Sequence, residues 1–334
     1  MKITVYAICY NEEKHIQRWF DSIKNADEIV VLDTGSTDKS VELLKSLGVT
    51  VHEAIINPWR FDVARNLALS DVSQDTDVCL SLDLDEIMLD GWKEGIERAW
   101  VDGVTEIRYP YVFNWDDTEH TIPRITMYNF KIHARHGYTW HYPVHETVTH
   151  DNPGMEKLVY SDDIICHHHA DATKDRPYQK LLDTACKENP EEERFSHLRA
   201  RELMMYGRHV EAITEFQRHL TLQSNPQTRS LTYRYIGRCL QAMGRQDSEI
   251  LECMLHSAAE SPYQRESWIW LAQVWLDVGN YPQAYACAQT GLQITDRKLS
   301  FENEEGCWNN IPYKIRDMAF EMMIKQKMTD GGEK

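Results

Sequence analysis

Several things are scarce in this chain of 334 residues. No apolar run approaches the ~18 residues that a membrane-crossing helix needs, so no integral membrane segment is expected. No basic stretch followed by an apolar one opens the chain, because Lys2 leads into a strand-like segment and then Asn11-Glu12-Glu13; a secretory leader is not expected. The eight cysteines, at 9, 79, 166, 186, 239, 253, 287 and 307, include no C-x-x-C pair. They read as buried or free thiols in a reducing, cytoplasmic compartment. Positive charge is also short: 36 Lys+Arg against 53 Asp+Glu give a net charge of −17. That balance disfavours a broad phosphate-binding surface, since duplex affinity comes mainly from neutralising phosphates, but it leaves room for a local basic groove. What is present is ordinary globular material, 42% hydrophobic and 27% charged, which excludes wholesale disorder. The length implies two domains, because single cores stop growing near roughly 250–300 residues.

The first half alternates two periodicities. Ile3 to Ile8 reads as a buried strand, followed by a helix with Ile16, Trp19, Phe20 and Ile23 on one face. Glu28 to Leu32 is a second strand ending at Asp33, and a helix marked by Val41, Leu44 and Leu47 stops at Gly48. Val49 to Ala54 is a third strand, Asp62 to Leu69 a third helix, and Asp77 to Leu82 a fourth strand. This order specifies an α/β fold with a mostly parallel, Rossmann-like sheet, whose ligand lies beyond the carboxyl ends of the strands. The residues there are Tyr10-Asn11, Asp33-Thr34-Gly35-Ser36 and Asp83-Leu84-Asp85. From Thr105 to His169 aromatics and histidines accumulate with Pro110, Pro123 and Pro143, as expected of strands and loops that close a site.

From about Arg194 the pattern is helical and repeats. Gly207, Gly244 and Gly279 each end one helical segment and precede another, 37 and 35 residues apart. Ala212 and Ala284 follow the first and third glycines by five residues, whereas the middle copy has Ser248-Glu249. A helix–turn–helix unit of about 34 residues is the tetratricopeptide period, and three units are the least that stack stably. The expected domains are 1–175, a linker or helix over 176–193, and helical repeats over 194–330, with Trp308 to Met328 as a cap.

Asp83-Leu84-Asp85-Glu86 is the sharpest local feature. Strand alternation is expected to send Asp83 and Asp85 to one side, forming a hard oxygen site for Mg²⁺ or Mn²⁺ that also carries substrate phosphates. A solvated acidic turn is the plain alternative. Together with Cys9-Tyr10-Asn11-Glu12-Glu13, Val31 to Asp38, Phe61 to Leu69 with Ala64-Arg65-Asn66, Pro123-Arg124 and Pro143-Val144-His145-Glu146, the chain resembles a family 2 glycosyltransferase of the GT-A fold. A tetratricopeptide-like tail follows it.

The resemblance implies roles residue by residue. Tyr10 and the backbone before Asn11 would border the nucleotide base, and Asp33 would accept a hydrogen bond from the base or ribose. The alternative for Asp33 is a capping role in the turn at Gly35-Ser36. Arg65 would reach the nucleotide or its diphosphate, or else make a surface ion pair. Asp83 would contact the ribose or the metal through water, Asp85 would bind the metal directly, and His167 would complete the metal shell with His168 and His169 as competitors. Cys166 to His169 lacks the spacing of a four-ligand zinc site. Inverting transfer needs one base near the anomeric carbon. Glu146 is the candidate, against a structural pair with Arg124 or His145, and Asp116 and Asp117 are alternatives. Trp115, Tyr138, Trp140 and Tyr142 read as stacking faces or core packing.

The leading expectation is a glycosyltransferase that uses Mn²⁺ or Mg²⁺ and a UDP-sugar. Its acceptor is a surface saccharide, a peptide side chain or a modified nucleobase, with DNA disfavoured by charge. The tail would bind an acceptor or a second copy of the chain. The contrasting expectation is a helical-repeat interaction module with an inactive nucleotide-binding domain. The basic residues Arg194, Arg199, Arg201, Arg208, His209, Arg218 and His219 cluster at the first repeat and read as a solvated face with interspersed acids.

Overall fold

The computed structural model describes residues 1–115, 117, 120–121, 123–170, 178–297 and 304–330. The chain divides into two compact units, Met1–Pro177 and Tyr178–Lys334.

In the first unit, apolar runs become strands and periodic segments become helices in the expected order. The elements are β1 (Ile3–Cys9), α1 (Ile16–Ile23), β2 (Glu28–Asp33), α2 (Ser40–Ser46), β3 (Thr50–Glu53), α3 (Phe61–Ser70) and β4 (Val78–Ser81). β5 (Glu86–Met88), α4 (Trp92–Ala99), β6 (Glu106–Trp115), β7 (Pro123–Ala134), β8 (Tyr138–His141), β9 (Thr147–His150), β10 (Leu158–Tyr160) and β11 (Cys166–His168) follow. α4 was not anticipated; it buries Trp92, whose indole donates to the Ser22 carbonyl at 3.0 Å.

The main sheet has the order β3-β2-β1-β4-β7-β6-β11-β5, with β10 beside β6. The first four strands are mutually parallel, and β7 enters antiparallel beside β4. β1 reads Ile-Thr-Val-Tyr-Ala-Ile-Cys with almost no exposed residue, as a parallel strand covered on both faces should. On α1, Ile16, Trp19 and Ile23 form the buried stripe, and the Trp19 indole donates to the Leu82 carbonyl at 3.2 Å. β1 is followed outward by β2 and β3 on one side and by β4 on the other. The strand order therefore reverses between β1 and β4, and the crevice lies at their carboxyl ends.

The second unit is helical: α5 (Gln179–Glu188), α6 (Glu193–Met205), α7 (His209–Leu222), α8 (Pro226–Ala242), α9 (Asp247–Glu260), α10 (Arg265–Asp277), α11 (Tyr281–Gln293) and α12 (Ile311–Asp330). The repeat glycines sit in the three turns α6–α7, α8–α9 and α10–α11 with φ of 72°, 64° and 79°. Each turn carries the same pair of bonds. In the first, Gly207 N–H reaches the Met204 carbonyl at 3.0 Å and Arg208 N–H the Leu203 carbonyl at 2.9 Å. That is the left-handed helix stop which glycine adopts without steric cost. Ala212 and Ala284 are fully buried where the hairpin helices pack. The departure at Ser248-Glu249 has a local reason: Glu249 closes a capping box with Gln246 at the start of α9. Among the described residues, no helix is long and apolar enough to cross a membrane.

Candidate functional site

The carboxyl end of β1 leads to Tyr10, which is 57% exposed, and to Asn11 at φ 54°. The Asn11 side chain is committed to the chain itself: Oδ1 accepts the Thr37 N–H at 2.7 Å and the Asp38 N–H at 3.3 Å. Its N–H donates to Ser36 Oγ at 2.8 Å. Asn11 thereby fixes the loop after β2 and leaves Tyr10 at the crevice. Asp33, at the end of β2, is buried to 2% exposure and divides its oxygens. Oδ1 accepts from the N–H groups of Gly35 and Ser36, each at 2.9 Å. Oδ2 is buried and, among the described residues, has no hydrogen-bond partner. The turn-capping role thus uses only one oxygen, and the other is an acceptor held ready in a buried position.

The Asp83–Glu86 segment corrects an expectation. It is a turn, closed by Glu86 N–H to the Asp83 carbonyl at 2.9 Å, so strand alternation does not govern it and the two aspartates have separate surroundings. Asp83 meets Arg65 through a fork, Nη1 to Oδ1 at 2.8 Å and Nη2 to Oδ2 at 3.1 Å. Lys131 Nζ adds a bond to Oδ2 at 2.8 Å. Burial raises the Asp83 carboxyl pKa, but the two cations outweigh it and hold the group well below the usual carboxylate range. Its charge is already neutralised by protein cations, which accords with the expected contact to ribose, or to a metal only through water.

Arg65 is likewise neither a surface ion pair nor an unengaged phosphate donor. It is 5% exposed, its Nε donates to Glu146 Oε1 at 2.5 Å, and Nη1 also reaches Ser81 Oγ at 3.3 Å. The guanidinium stacks 4.8 Å from the Trp140 ring centroid. Its neighbour Asn66 exchanges two bonds with the backbone of Trp140, at 2.8 and 2.9 Å. The Ala64-Arg65-Asn66 segment thus ties α3 to β8, to Glu146 and to the turn after β4. Glu146 pairs with Arg65; the side chain of Arg124, the alternative partner, lies outside the described residues, as does Asp116. Asp117 accepts the N–H and hydroxyl of Thr121, at 2.9 and 2.6 Å.

Asp85 faces a histidine, and that histidine is His168. In β11 side chains alternate, so His167 and His168 diverge. His167 packs edge-on against Trp115, with centroids 4.7 Å apart. His168 places Nε2 3.4 Å from Asp85 Oδ2 and Nδ1 3.2 Å from the Phe113 carbonyl. Burial lowers the His168 pKa, but the Asp85 carboxylate more than offsets this and raises it. His169 turns to His120, Nδ1 to Nδ1 at 2.9 Å. Tyr138 and Trp140 are core, at 5% and 2% exposure, and Trp115 donates its indole N–H to the His168 carbonyl at 2.8 Å. Among the described residues, no three His, Cys, Asp or Glu side chains are gathered as a ready metal cage. Asp85 and His168 supply one oxygen and one nitrogen donor.

Lys131 was missed. It is a charged residue between Phe130 and Ile132 in a strand, and that break in an apolar pattern was the available signal. Glu86, named only as part of a motif, is buried to 1% exposure. It accepts from Tyr111 at 2.9 Å and from Lys131 at 3.0 Å. Burial raises its carboxyl pKa against the pull of Lys131. In the second unit the basic cluster is matched by acids: Arg199 with Asp183 and Glu215, Arg208 with Glu211, Arg218 with Glu215 and His219 with Glu193.

Comparison with known proteins follows the same division. Residues 4–157 match the model of glycosyl transferase family 2. An uncharacterized glycosyltransferase of Rickettsia bellii is 35% identical over 97 residues, 29% of this chain and 32% of that protein. The lipopolysaccharide core biosynthesis glycosyltransferase LpsC of Rhizobium meliloti is 31% identical over 90 residues, 26% of this chain and 32% of that protein. The chain thus spans about a third of the length of these curated relatives. A solved glucosyl-3-phosphoglycerate synthase from Mycobacterium tuberculosis is similar at TM-score 0.38 and 17% identity, covering 54% of this chain and 73% of that one.

Proposed function

Residues 4–157 match the model of glycosyl transferase family 2, and from that match we propose that the chain is a metal-dependent, inverting glycosyltransferase that takes its sugar from a UDP-sugar. The observation that carries the metal reading is the facing pair Asp85 and His168. The Phe113 carbonyl can only accept, so His168 Nδ1 carries the hydrogen and Nε2 points its remaining site at the Asp85 carboxylate. A carboxylate oxygen and an imidazole nitrogen held 3.4 Å apart call for positive charge, which a proton on Nε2 supplies in the free protein and a bound cation would supply in its place. A carboxylate oxygen and an imidazole nitrogen suit Mn²⁺ or Mg²⁺ when substrate phosphates complete the shell. When bound, the ion would neutralise the departing diphosphate as a Lewis acid.

The remaining roles belong to the chain itself. Asp33 Oδ2, an unpartnered buried acceptor, favours a base that offers a donor, and uracil offers N3–H where cytosine has an acceptor. Tyr10 would lie against that base, and Asn11 would set the loop. Asp83 keeps one acceptor site on Oδ1 for a ribose hydroxyl. Arg65 orients both Asp83 and Glu146, and Glu146 is the proposed base that takes the acceptor hydroxyl proton. A single displacement with one base gives inversion.

Of the three acceptor classes, similarity to LpsC, a glycosyltransferase of lipopolysaccharide core biosynthesis, favours a saccharide, and the net charge of −17 disfavours DNA. The helical repeats would receive the acceptor or a second copy of the chain. The eight free thiols accord with a cytoplasmic setting. The test is a screen of nucleotide sugars for metal-dependent hydrolysis, because transfer to water needs no known acceptor. UDP-sugars should be consumed with Mn²⁺ and spared with chelator. If no donor is turned over, the chain is a helical-repeat module with an inactive domain.

A further inference from the structure

Lys131 belongs to no motif, yet it is built tightly into the strand-end site. It lies in β7 beside the antiparallel seam where Leu80 of β4 faces Ile132. Its Nζ donates to Asp83 Oδ2 at 2.8 Å and to Glu86 Oε1 at 3.0 Å, and its side chain is 14% exposed. The Glu86 carboxylate is also fixed from two other directions, by the Tyr111 hydroxyl at 2.9 Å and by the Asp83 N–H at 2.9 Å. These contacts close a ring. Lys131 binds Glu86, Glu86 binds the Asp83 backbone, and the Asp83 carboxylate returns to Lys131. Arg65 grips the same carboxylate by its fork. Among the described residues Oδ1 therefore accepts one hydrogen bond and Oδ2 two, which leaves one acceptor site on Oδ1.

We propose that Lys131 is a positioning residue for the donor nucleotide. With Glu86 it holds both the backbone and the carboxylate of Asp83, so that the remaining Oδ1 site faces the crevice in a single orientation. Arg65 alone fixes the carboxylate plane from α3, and Lys131 ties it to the sheet. Preorganisation of this kind spares the cost of ordering a side chain on binding. The inference rests on the reading of Asp83 as a donor contact.

A merely structural lysine would serve to neutralise Glu86 in the core, and paired variants separate the two roles. Lys131→Met should lower the melting temperature and weaken UDP binding, measured calorimetrically with Mn²⁺, by at least ~10-fold. Adding Glu86→Gln removes the surplus buried negative charge. The double variant should regain the melting temperature but not the affinity for UDP, while Lys131→Arg should regain part of both. A double variant that binds UDP as tightly as the wild type would overturn the proposal. Asp83→Asn identifies a different failure: if it leaves UDP affinity unchanged, the donor role of Asp83 falls and the positioning role falls with it. Weakened binding in Asp83→Asn alongside full recovery in the double variant would reject Lys131 alone.

Discussion

Arg65 meets Asp83 through two parallel hydrogen bonds, 2.8 and 3.1 Å long, and spends its remaining Nε on Glu146. One side chain thereby joins α3, the turn after β4 and the segment after β8. A buried guanidinium between two carboxylates is a high-stakes arrangement, because removing it strips Glu146 of this cation and leaves Asp83 to share Lys131 with Glu86.

Arg65→Met is expected to destabilise the first unit by about 3–5 kcal/mol, the usual cost of breaking a buried pair. Arg65→Lys should recover less than half of this, since an ammonium cannot reproduce the fork. Thermal or urea unfolding measures both, and a loss below about 1 kcal/mol would mean the pair behaves like a solvated surface bridge.

Asp33→Asn keeps an oxygen for the Gly35 and Ser36 N–H groups and turns the unpartnered oxygen into a donor. UDP affinity should fall roughly 10- to 100-fold, the worth of a hydrogen bond to a charged group, while CDP gains relative to UDP. Competition binding with the two nucleotides reads the outcome, and an unchanged UDP-to-CDP ratio would place the base elsewhere.

His168→Ala should weaken Mn²⁺ binding in the presence of UDP by at least ~10-fold. His167→Ala should leave it unchanged, because that ring packs on Trp115. Titration of each variant with Mn²⁺ distinguishes the two, and the reverse ranking would restore His167.

Acid should destabilise the first unit through His133. Burial pushes this histidine down to about 4 from its ordinary value of 6.5. Trp140 donates to Tyr6 Oη at 2.7 Å, Tyr6 lies 2.9 Å from His133 Nε2, and His133 Nδ1 lies 2.8 Å from the Ala134 carbonyl. The network therefore assigns a neutral ring with its hydrogen on Nδ1. Below pH 6.5 the unfolded chain takes up a proton that the folded chain refuses until about pH 4, so stability falls as pH drops through that window. The loss from this group between about pH 7 and about pH 5 is about 2 kcal/mol. Urea unfolding at both values checks it. The difference between wild type and His133→Gln should shrink by that amount in acid, and a constant difference would contradict the assignment.

Local chemistry made much of the fold readable in the sequence. The strand–helix alternation from Ile3 to Leu82 appears because β1, β2 and β4 are apolar runs with turns at their ends. The three repeats appear because Gly207, Gly244 and Gly279 supply the left-handed stops. Asp33, Asp83, Asp85, Arg65 and Glu146 were found as candidates, yet their pairing was not. Whether Arg65 faces solvent or Asp83 depends on how α3 packs against β4, a long-range fact with no local signature. Lys131 escaped for the same reason, since it acts across a seam between strands far apart in the chain. That His168 and not His167 faces Asp85 turns on the phase of a three-residue strand, where one step of register exchanges the two faces.

Calorimetric titration of UDP into the wild type and Asp85→Asn, each with and without Mn²⁺, tests the central claim most directly. The wild type should bind UDP tightly only with the metal, and the variant should lose that metal-dependent increment while keeping the same melting temperature. Equal, metal-independent binding by both proteins would contradict a cation site at Asp85 and with it the proposed transfer chemistry.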